Sequence, residues 1–347
     1  MDELALYVPL PMLHPAIDRA RLASIHPRVE VITEPTYDIT HHERTMREQD
    51  PFGAATRALA APLTDAQRGA FARAHVVWTL DVPLDLPRVA PNLRFVQAIG
   101  SGVGQYVASH LPEGGIVLAN GAGIGAPPIA EWVLARILQI LKLLPVHDAN
   151  ARDHRWESAL GSNLQGKSVS IIGLGAIGRE VARRCRAFGV HLLGVRRRGQ
   201  LGASDPDVDE VYGPDALHSV LGRSDVVVVA APGTDATGNM FDSAAFAAMR
   251  PGSVFVNVAR GTLVDEAALI RALASGHLRG AAIDVARTEP LPADDPLWDA
   301  PNLLISPHSS TSGEGYADRS FALFCTNLAH LVAGEPLVNV VDLSGGY

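Results

Sequence analysis

The sequence predicts an α/β protein with two doubly wound parallel sheets. Short, continuous apolar strands alternate with helical patterns along most of the 347 residues, an order typical of parallel sheets that are covered by helices. The length exceeds what one ordinary hydrophobic core accommodates, so two domains are expected. A glycine-rich turn distinguishes the second of these domains from the first.

The glycine-rich turn has the spacing G-x-G-x-x-G. Gly173, Gly175 and Gly178 follow an apolar strand at 169–172 and open a helix near 177–188, and a second strand at 191–195 closes the unit. In this context the first glycine permits a sharp turn, the second lets a pyrophosphate approach the backbone, and the third lets helix and strand pack closely. The unit therefore predicts a Rossmann domain that binds a dinucleotide, with the phosphates at the helix N-terminus.

Three arginines occupy the place where such domains select their dinucleotide. NAD sites usually carry Asp or Glu at the end of the second strand, about twenty residues past the glycines. Here Arg196, Arg197 and Arg198 stand there. A carboxylate would repel a 2′-phosphate, whereas guanidinium groups bind one through paired hydrogen bonds. The sequence thus favours NADP over NAD, with an NAD enzyme whose arginines face solvent as the alternative.

Composition and charge argue against several classes of protein. A net charge of −8 argues against nucleic acid as the main partner. Cys185 and Cys325 are too few for a disulfide framework or a zinc site, which indicates a reducing, cytoplasmic compartment. The N-terminus is acidic where a signal peptide would be basic, and charges interrupt the longest apolar stretch at 132–146, so no membrane partner is expected. His41 and His42 are adjacent, which is poor spacing for a metal, and a solvated loop is predicted there.

Residues 1–119 predict a smaller sheet domain without a phosphate-binding turn. Its strands are expected at 4–8, 29–32, 75–80, 94–98 and 116–119, while the polar segment 33–63 gives no assignment. A hinge at 120–123 leads into the dinucleotide-binding domain, residues 120–310. A last helix near 314–333 has no strand left to join, so residues 311–347 are expected to return to the first domain and make it discontinuous.

The dinucleotide-binding domain is expected to begin with a long helix at about 129–150. Its apolar residues between Trp132 and Leu144 must pack against the core of the same chain or against a partner subunit. The remaining elements alternate strictly, with strands at 226–231, 253–258, 281–285 and 303–306 and helices at 243–249 and 266–274.

Polar residues follow consecutive strands of this domain. Thr234, Arg260, Asp284 and His308 come after the strands, and Glu289 lies in the loop beyond Asp284. Ligands of open α/β sheets bind beyond the carboxyl ends of the strands, so we expect these groups at the cofactor edge.

Three of these residues suit the reduction of a 2-keto acid. Arg260 stays charged and can bind a carboxylate in a fork, His308 can supply a proton near neutral pH, and a carboxylate at Glu289 would raise the pKa of that histidine. Each also has a structural alternative: Arg260 could pair with Asp265, Glu289 could be a surface charge, and His308 a loop histidine. The loop Gly100–Val103 is equally consistent with a flexible turn and with a carboxylate-binding concavity of N–H groups.

The runs GLGAIG, AAPGTDATGNMF, NVARGTLVDEAAL, DVARTEPLP and ISPHSS resemble the D-isomer-specific 2-hydroxyacid dehydrogenase family over about residues 120–310. The resemblance implies a flavodoxin-like fold for the smaller domain and a homodimer joined through the long helix. It implies a catalytic set of Arg260, Glu289 and His308. It also implies substrate binding by Arg260 and His308 together with Gly100, Ser101, Gly102 and Val103. It also implies cofactor contacts at Ala176, Ile177, Ala231, Pro232, Ala259, Asp284 and Ser310.

Arg196 stands where other members of that family carry an acidic ribose-binding residue. In this replacement the sequence resembles the NADPH-dependent glyoxylate and hydroxypyruvate reductases of the family. The expected activity is therefore reduction of glyoxylate, hydroxypyruvate or a related 2-keto acid to the D-2-hydroxy acid with NADPH, without a metal. Two alternatives remain open, an NAD-dependent D-2-hydroxyacid dehydrogenase and a non-catalytic dinucleotide-sensing protein of the same fold. The substrate side chain and the physiological direction are not predicted.

Overall fold

The structure is a computed structural model that describes residues 3–198, 203–311 and 313–343. In these residues the strands are β1 (Leu4–Tyr7), β2 (Val29–Ile32), β3 (Val76–Thr79), β4 (Phe95–Ala98), β5 (Val117–Ala119), β6 (Ser168–Ile172), β7 (His191–Val195), β8 (Glu210–Tyr212), β9 (Val226–Val229), β10 (Ser253–Asn257), β11 (Leu278–Ile283) and β12 (Leu303–Ile305). The helices are α1 (Arg19–Ile25), α2 (His41–Gln49), α3 (Ala54–Leu59), α4 (Asp65–Arg73), α5 (Leu86–Val89), α6 (Ala126–Leu141), α7 (Leu144–Arg152), α8 (Ala176–Arg186), α9 (Leu217–Leu221), α10 (Ser243–Ala248), α11 (Glu266–Ala274) and α12 (Tyr316–Ala333).

Internal contacts divide the chain into two compact units. The first unit comprises Met1–Ile124 and Gly313–Tyr347, and the second comprises Gly125–Ser312. Each unit contains one wholly parallel sheet with helices between the strands. This arrangement confirms the predicted α/β class with two doubly wound sheets, while the domain limits at 119/120 and 310/311 stay a prediction.

The sheet of the first unit has the strand order β2-β1-β3-β4-β5. Its central strands are buried on both faces because helices cover both sides. The C-terminal helix α12 packs on this sheet, where Phe324 stacks on Trp78 with ring centroids 5.5 Å apart. The indole N–H of Trp78 also donates to the hydroxyl of Ser320 at 2.9 Å. The last helix therefore completes the core of the first unit.

The sheet of the second unit has the order β12-β11-β10-β9-β6-β7-β8. The chain runs outward from β6 through β7 to β8, and then returns to β9 on the other side of β6. The carboxyl ends of β6 and β9 therefore form the topological switch point, which is where sheets of this type bind ligands. The glycine-rich turn lies at that point.

The predicted long helix is interrupted. Helix α6 ends at Leu141, and α7 begins after Leu143, whose φ of 56° is left-handed. The apolar stripe of α6, including Val133 and Ile137, is buried in the core of the second unit. Trp132 is only partly buried and Leu144, in α7, is 44% exposed, so the chain's own core covers only part of the apolar face predicted between these residues.

The segment 33–63, which the sequence left unassigned, contains α2 and α3. The solvated loop predicted at His41 and His42 is wrong, because both residues lie in the first turn of α2, although they are exposed. Thr40 caps this helix, its hydroxyl accepting from the N–H of Glu43 at 3.1 Å. Within the described residues, no group of three or more His, Cys, Asp or Glu side chains could hold a metal ion. None of the helices described is long and apolar enough to span a membrane.

Candidate active site

The glycine-rich turn connects β6 to α8. Gly173 has a φ of 106°, and a Cβ there would lie 2.6 Å from the backbone of Ala230. A Cβ on Gly178 would lie 2.0 Å from the carbonyl oxygen of Gly173, so this glycine allows α8 to pack against the end of β6. Gly175 differs from both, because a Cβ there would meet no atom within 4 Å. The turn therefore leaves open space beside the backbone at Gly175.

Several backbone N–H groups of this turn make no hydrogen bond to a described residue. Gly175 caps α8 without a side-chain hydrogen bond. Four successive N–H groups make no hydrogen bond to a described residue, those of Leu174, Gly175, Ala176 and Ile177. A bare helix N-terminus with free donors stabilises negative charge. The turn thus fits the pyrophosphate of a dinucleotide.

The end of β7 carries the three arginines. Arg196 is partly exposed, and its Nη1 lies 3.3 Å from Oδ2 of Asp205. Arg197 and Arg198 are exposed. The structure therefore adds an internal carboxylate that the sequence did not reveal, because Asp205 lies in a loop nine residues away and shares no pattern with the arginines.

A buried amide shapes the turn that carries Arg260. Oδ1 of Asn257 accepts from the N–H of Ala259 at 3.0 Å, and its Nδ2 donates to the carbonyl of Arg260 at 3.1 Å. The next residue, Gly261, fits closely, because a Cβ there would lie 2.0 Å from the carbonyl carbon of Ala286. The guanidinium of Arg260 donates to the carbonyl of Ala259 at 2.7 Å and does not pair with Asp265. Arg260 is therefore held at its backbone while its side chain stays exposed.

Glu289 and His308 form a direct pair. Oε2 of Glu289 lies 2.8 Å from Nδ1 of His308, and its Oε1 accepts from the N–H of Ala286 at 3.0 Å. The His308 side chain remains 54% exposed. With Nδ1 engaged by the carboxylate, Nε2 is the ring nitrogen left to face a reactant.

The hydrogen bond between His308 and Glu289 shifts the pKa values of both groups toward their charged forms. The hydrogen bond from His308 to Glu289 raises the pKa of the imidazole, against burial and the positive charge of Arg260, which lower it. Burial would raise the pKa of Glu289, but hydrogen bonds from His308 and the Ala286 N–H outweigh it, and the pKa is lowered. The Arg260 guanidinium acts on both pKa values, so the three side chains share one electrostatic environment. Such an arrangement favours a protonated imidazole beside an ionised carboxylate.

Asp284 organises the turn that carries His308. Its buried carboxylate accepts from the Ser306 hydroxyl at 2.5 Å, the Ser309 N–H at 2.9 Å and the Ser310 N–H at 3.0 Å. The backbone carbonyl of Asp284 also accepts from the His308 N–H at 2.8 Å. His308 has a φ of 50°, which an L-residue adopts only when its surroundings impose it. Asp284 supplies that constraint, and its contact with a nicotinamide stays a prediction.

The other proposed cofactor residues lie near the same sheet edge. Ala231 and Pro232 follow β9, and Ala259 follows β10, next to Arg260. Thr234 is occupied within its own turn, where its N–H donates to the Thr237 hydroxyl at 2.8 Å. The structure thus gives Thr234 a local structural contact.

The proposed carboxylate-binding loop belongs to the first unit. The carbonyl of Gly100 accepts from the Gly121 N–H at 2.7 Å, and that of Ser101 from the Asn120 side chain at 3.0 Å. These bonds fix the carbonyl groups of Gly100 and Ser101. The N–H groups that make no hydrogen bond to a described residue are those of Gly100, Ser101, Gly102 and Val103. Successive free N–H groups of this kind can bind an anion.

A family model for the D-isomer specific 2-hydroxyacid dehydrogenase, NAD binding domain, matches residues 134–310. The chain belongs to the D-isomer-specific 2-hydroxyacid dehydrogenase family. The match covers the unit with the glycine-rich turn and includes Arg260, Glu289 and His308. The predicted family membership is thereby confirmed.

Two curated relatives illustrate the range within this dehydrogenase family. The D-3-phosphoglycerate dehydrogenase of Mycobacterium tuberculosis is 33% identical over 273 residues, which cover 76% of this chain and 50% of the relative. The chain thus spans about half the length of the phosphoglycerate dehydrogenases it matches. A glyoxylate reductase of Korarchaeum cryptofilum is 29% identical over 278 residues, which cover 77% of this chain and 82% of the relative.

Solved structures of the family match the whole chain. A D-isomer specific 2-hydroxyacid dehydrogenase family protein from Aeromonas salmonicida has a TM-score of 0.77 at 27% identity, covering 98% of this chain and 99% of its own. An NADPH-dependent glyoxylate/hydroxypyruvate reductase from Sinorhizobium meliloti, solved with NADP and sulfate, has a TM-score of 0.74 at 26% identity, covering 99% of this chain and 100% of its own. Both matches include the first unit, which the family model does not reach.

Proposed function

We propose that this chain is an oxidoreductase that transfers hydride between NADP(H) and a small 2-keto or D-2-hydroxy acid. The observation that carries the proposal is the paired Glu289 carboxylate and His308 imidazole, with the Arg260 guanidinium in the same electrostatic environment. They lie in the unit that also contains the open, donor-rich turn at Gly175. The substrates proposed first are glyoxylate and hydroxypyruvate, and this choice rests on similarity to reductases that bear those names.

The side chains divide the chemistry between them. A bound dihydronicotinamide supplies the hydride. His308 holds a proton at Nε2 for the substrate oxygen, and Glu289 keeps the ring charged and oriented through Nδ1. The guanidinium of Arg260 can bind a carboxylate in a fork while polarising the adjacent carbonyl. In the first unit, the N–H groups of the Gly100–Val103 loop are the proposed backbone ligands for a substrate carboxylate.

The preference for NADP rests on the arginines at the end of β7. Arg196 offers a guanidinium where an acidic residue would select NAD. The reductase from Sinorhizobium meliloti that is described as NADPH-dependent supports the same preference. The cytoplasmic location is also a proposal, and it rests on Cys185 and Cys325, which are both buried and unpaired.

A homodimer is proposed on a different observation from the one the sequence suggested. The stripe of α6 is covered by the chain's own core, but Trp156 and Leu160 are almost fully exposed in the segment after α7. Large apolar side chains that are this exposed are typical of a surface that another protein covers. A second copy of this chain is the proposed partner.

The proposal is tested by following absorbance of the reduced nicotinamide with a panel of 2-keto acids. Glyoxylate, hydroxypyruvate, pyruvate and bulkier branched or aromatic keto acids are each supplied with NADPH and with NADH. We expect turnover with a small keto acid and a higher kcat/KM with NADPH. Dinucleotide binding without turnover of any acid would instead support the sensing protein.

A further inference from the structure

Five charged side chains form a network beside the end of β7. In α8, Arg179 contacts Asp205 at 2.9 Å and Asp207 at 2.6 Å, and Arg183 contacts Asp207 at 3.1 Å. Arg196 joins the network only through Asp205, at 3.3 Å. A neighbouring carboxylate, Glu180, contacts Arg183 at 2.7 Å, so the five residues and Glu180 together carry three guanidinium groups and three carboxylates. The network lies next to the proposed cofactor-selecting position.

Asp205 is the centre of this network. Its side chain is only 2% exposed, and both of its oxygens accept from Arg179, at 2.9 Å and 3.1 Å. Oδ1 also accepts from the N–H of Asp207 at 3.1 Å. The hydrogen bond from Arg179 lowers the pKa of Asp205, so the carboxylate is ionised at neutral pH. Arg179 already satisfies Asp205 in a bidentate pair, and the contact with Arg196 is an additional one.

The guanidinium of Arg196 makes a hydrogen bond to a described residue through Nη1 alone. Its Nη1 donates to Asp205 and its backbone N–H to the carbonyl of Tyr212 at 3.1 Å, while Nη2 makes no hydrogen bond to a described residue. The side chain is 35% exposed. The Nε of Arg196 is buried, so Nη2 is the donor that remains for a phosphate. A guanidinium that is already fixed at Nη1 loses less conformational freedom on binding than a free side chain does.

We propose that Asp205 is a positioning residue for cofactor specificity, which holds the Arg196 guanidinium ready for a phosphate monoester at the 2′ position of the adenosine ribose. This inference rests on the proposed NADP preference and names a residue on which that preference depends. Asp205 acts through Arg196, since its own carboxylate would repel the phosphate. Arg179 offsets this repulsion because it pairs with Asp205 in a bidentate manner.

The test compares dinucleotide binding, without turnover, in two matched variants. Dissociation constants for NADPH and NADH are measured by fluorescence titration of the reduced nicotinamide in Asp205→Asn and Asp207→Asn. Asp207 contacts the same Arg179 and is equally part of the network, but it does not contact Arg196. We expect Asp205→Asn to weaken NADPH binding about tenfold and NADH binding by less than about twofold. Asp207→Asn should leave the ratio of the two constants unchanged.

A third variant tests the route through Arg196. Arg196→Gln should lower the preference for NADPH, and adding Asp205→Asn to it should cause no further change in the ratio. Tighter NADPH binding in Asp205→Asn, or an equal loss of preference in Asp207→Asn, would overturn the inference. An unchanged ratio in Arg196→Gln would overturn it as well. The proposed oxidoreductase activity would still stand in each of these cases, because turnover of keto acids is measured separately.

Discussion

At the level of single residues, the candidate chemistry depends on one imidazole in a constrained conformation. The left-handed backbone of His308 costs roughly 1–3 kcal/mol, and such strain is concentrated at functional sites. The hydrogen bonds around Asp284 hold the turn, and Glu289 fixes the ring at Nδ1. Backbone and side chain of His308 are therefore constrained separately.

The pH dependence of keto-acid reduction tests the role of Glu289. Reduction needs a protonated His308, so activity is present below the pKa of the imidazole and is lost as pH rises through it. Because the hydrogen bond to Glu289 raises that pKa, Glu289→Gln should move the alkaline limb of kcat/KM to lower pH. Glu266→Gln is the matched control. The Glu266 carboxylate accepts from the N–H of Arg287, which lies in the loop that carries Glu289, and it does not contact His308. An alkaline limb that stays in place in Glu289→Gln would contradict the assigned role.

The sequence predicts some residues of the candidate site and not others. It predicts Arg260, Glu289 and His308 because they come after buried strands whose carboxyl ends must meet at one sheet edge. The structure brings these three side chains into one electrostatic environment, and their catalytic roles stay a prediction. Asn257 was missed although it ends such a strand, because its amide turns back to its own loop. Asp205 could not be found, since only the folded chain brings it to Arg196.

At the level of elements, the glycine-rich turn contains one glycine that packing requires and another that only ligand binding would require. Gly178 is required for packing, because a Cβ would meet the carbonyl oxygen of Gly173 at 2.0 Å. Gly175 has open space around it and is required only if a ligand approaches. Substitution of Gly178 should therefore affect stability, and substitution of Gly175 should affect dinucleotide binding.

Alanine at each position distinguishes these roles. Gly178→Ala should lower the free energy of unfolding by about 1–3 kcal/mol, because α8 must shift from β6. Gly175→Ala should change it by less than about 1 kcal/mol, because the substitution meets no steric clash and costs part of the N-cap preference, while weakening dinucleotide binding at least about tenfold. Urea unfolding and nicotinamide fluorescence measure the two effects. Unchanged dinucleotide affinity in Gly175→Ala would show that phosphates do not bind at this turn.

Helix α2 shows why part of the fold escaped prediction. Helices are recognised in a sequence by a periodic apolar face, but the buried residues of α2 are Glu43 and Arg47, which form an ion pair at 2.6 Å. A helix that buries opposite charges has no apolar stripe to detect. The short edge strand β8 was missed for a related reason, because three residues give no usable period.

At the level of the whole molecule, the two units have different roles in the proposal. The second unit contains the phosphate-binding turn and all three proposed catalytic side chains, whereas the first contributes the Gly100–Val103 loop. The sequence identified the second unit through several motifs in order. The first unit has few such motifs, so the substrate side chain remains the part of the proposal that the screen must decide.

The proposed homodimer is tested at the exposed segment after α7. We expect a dimer by light scattering, and expect Trp156→Ser with Leu160→Ser to weaken it by about 2 kcal/mol or more, because exposed aromatic side chains often dominate such contacts. Phe52→Ser is the control, since Phe52 is an exposed aromatic residue of the first unit. A monomeric native chain, or a double variant that dimerises normally, would refute this interface.

The most direct test of the central claim is a single-turnover measurement of hydride transfer in His308→Gln with NADPH and the best keto acid of the screen. Glutamine can still accept or donate a hydrogen bond but cannot supply a proton from a cationic ring. We expect the rate to fall about 10²–10⁴-fold, with the NADPH dissociation constant unchanged. A rate within about twofold of the native chain would show that His308 is not the proton donor.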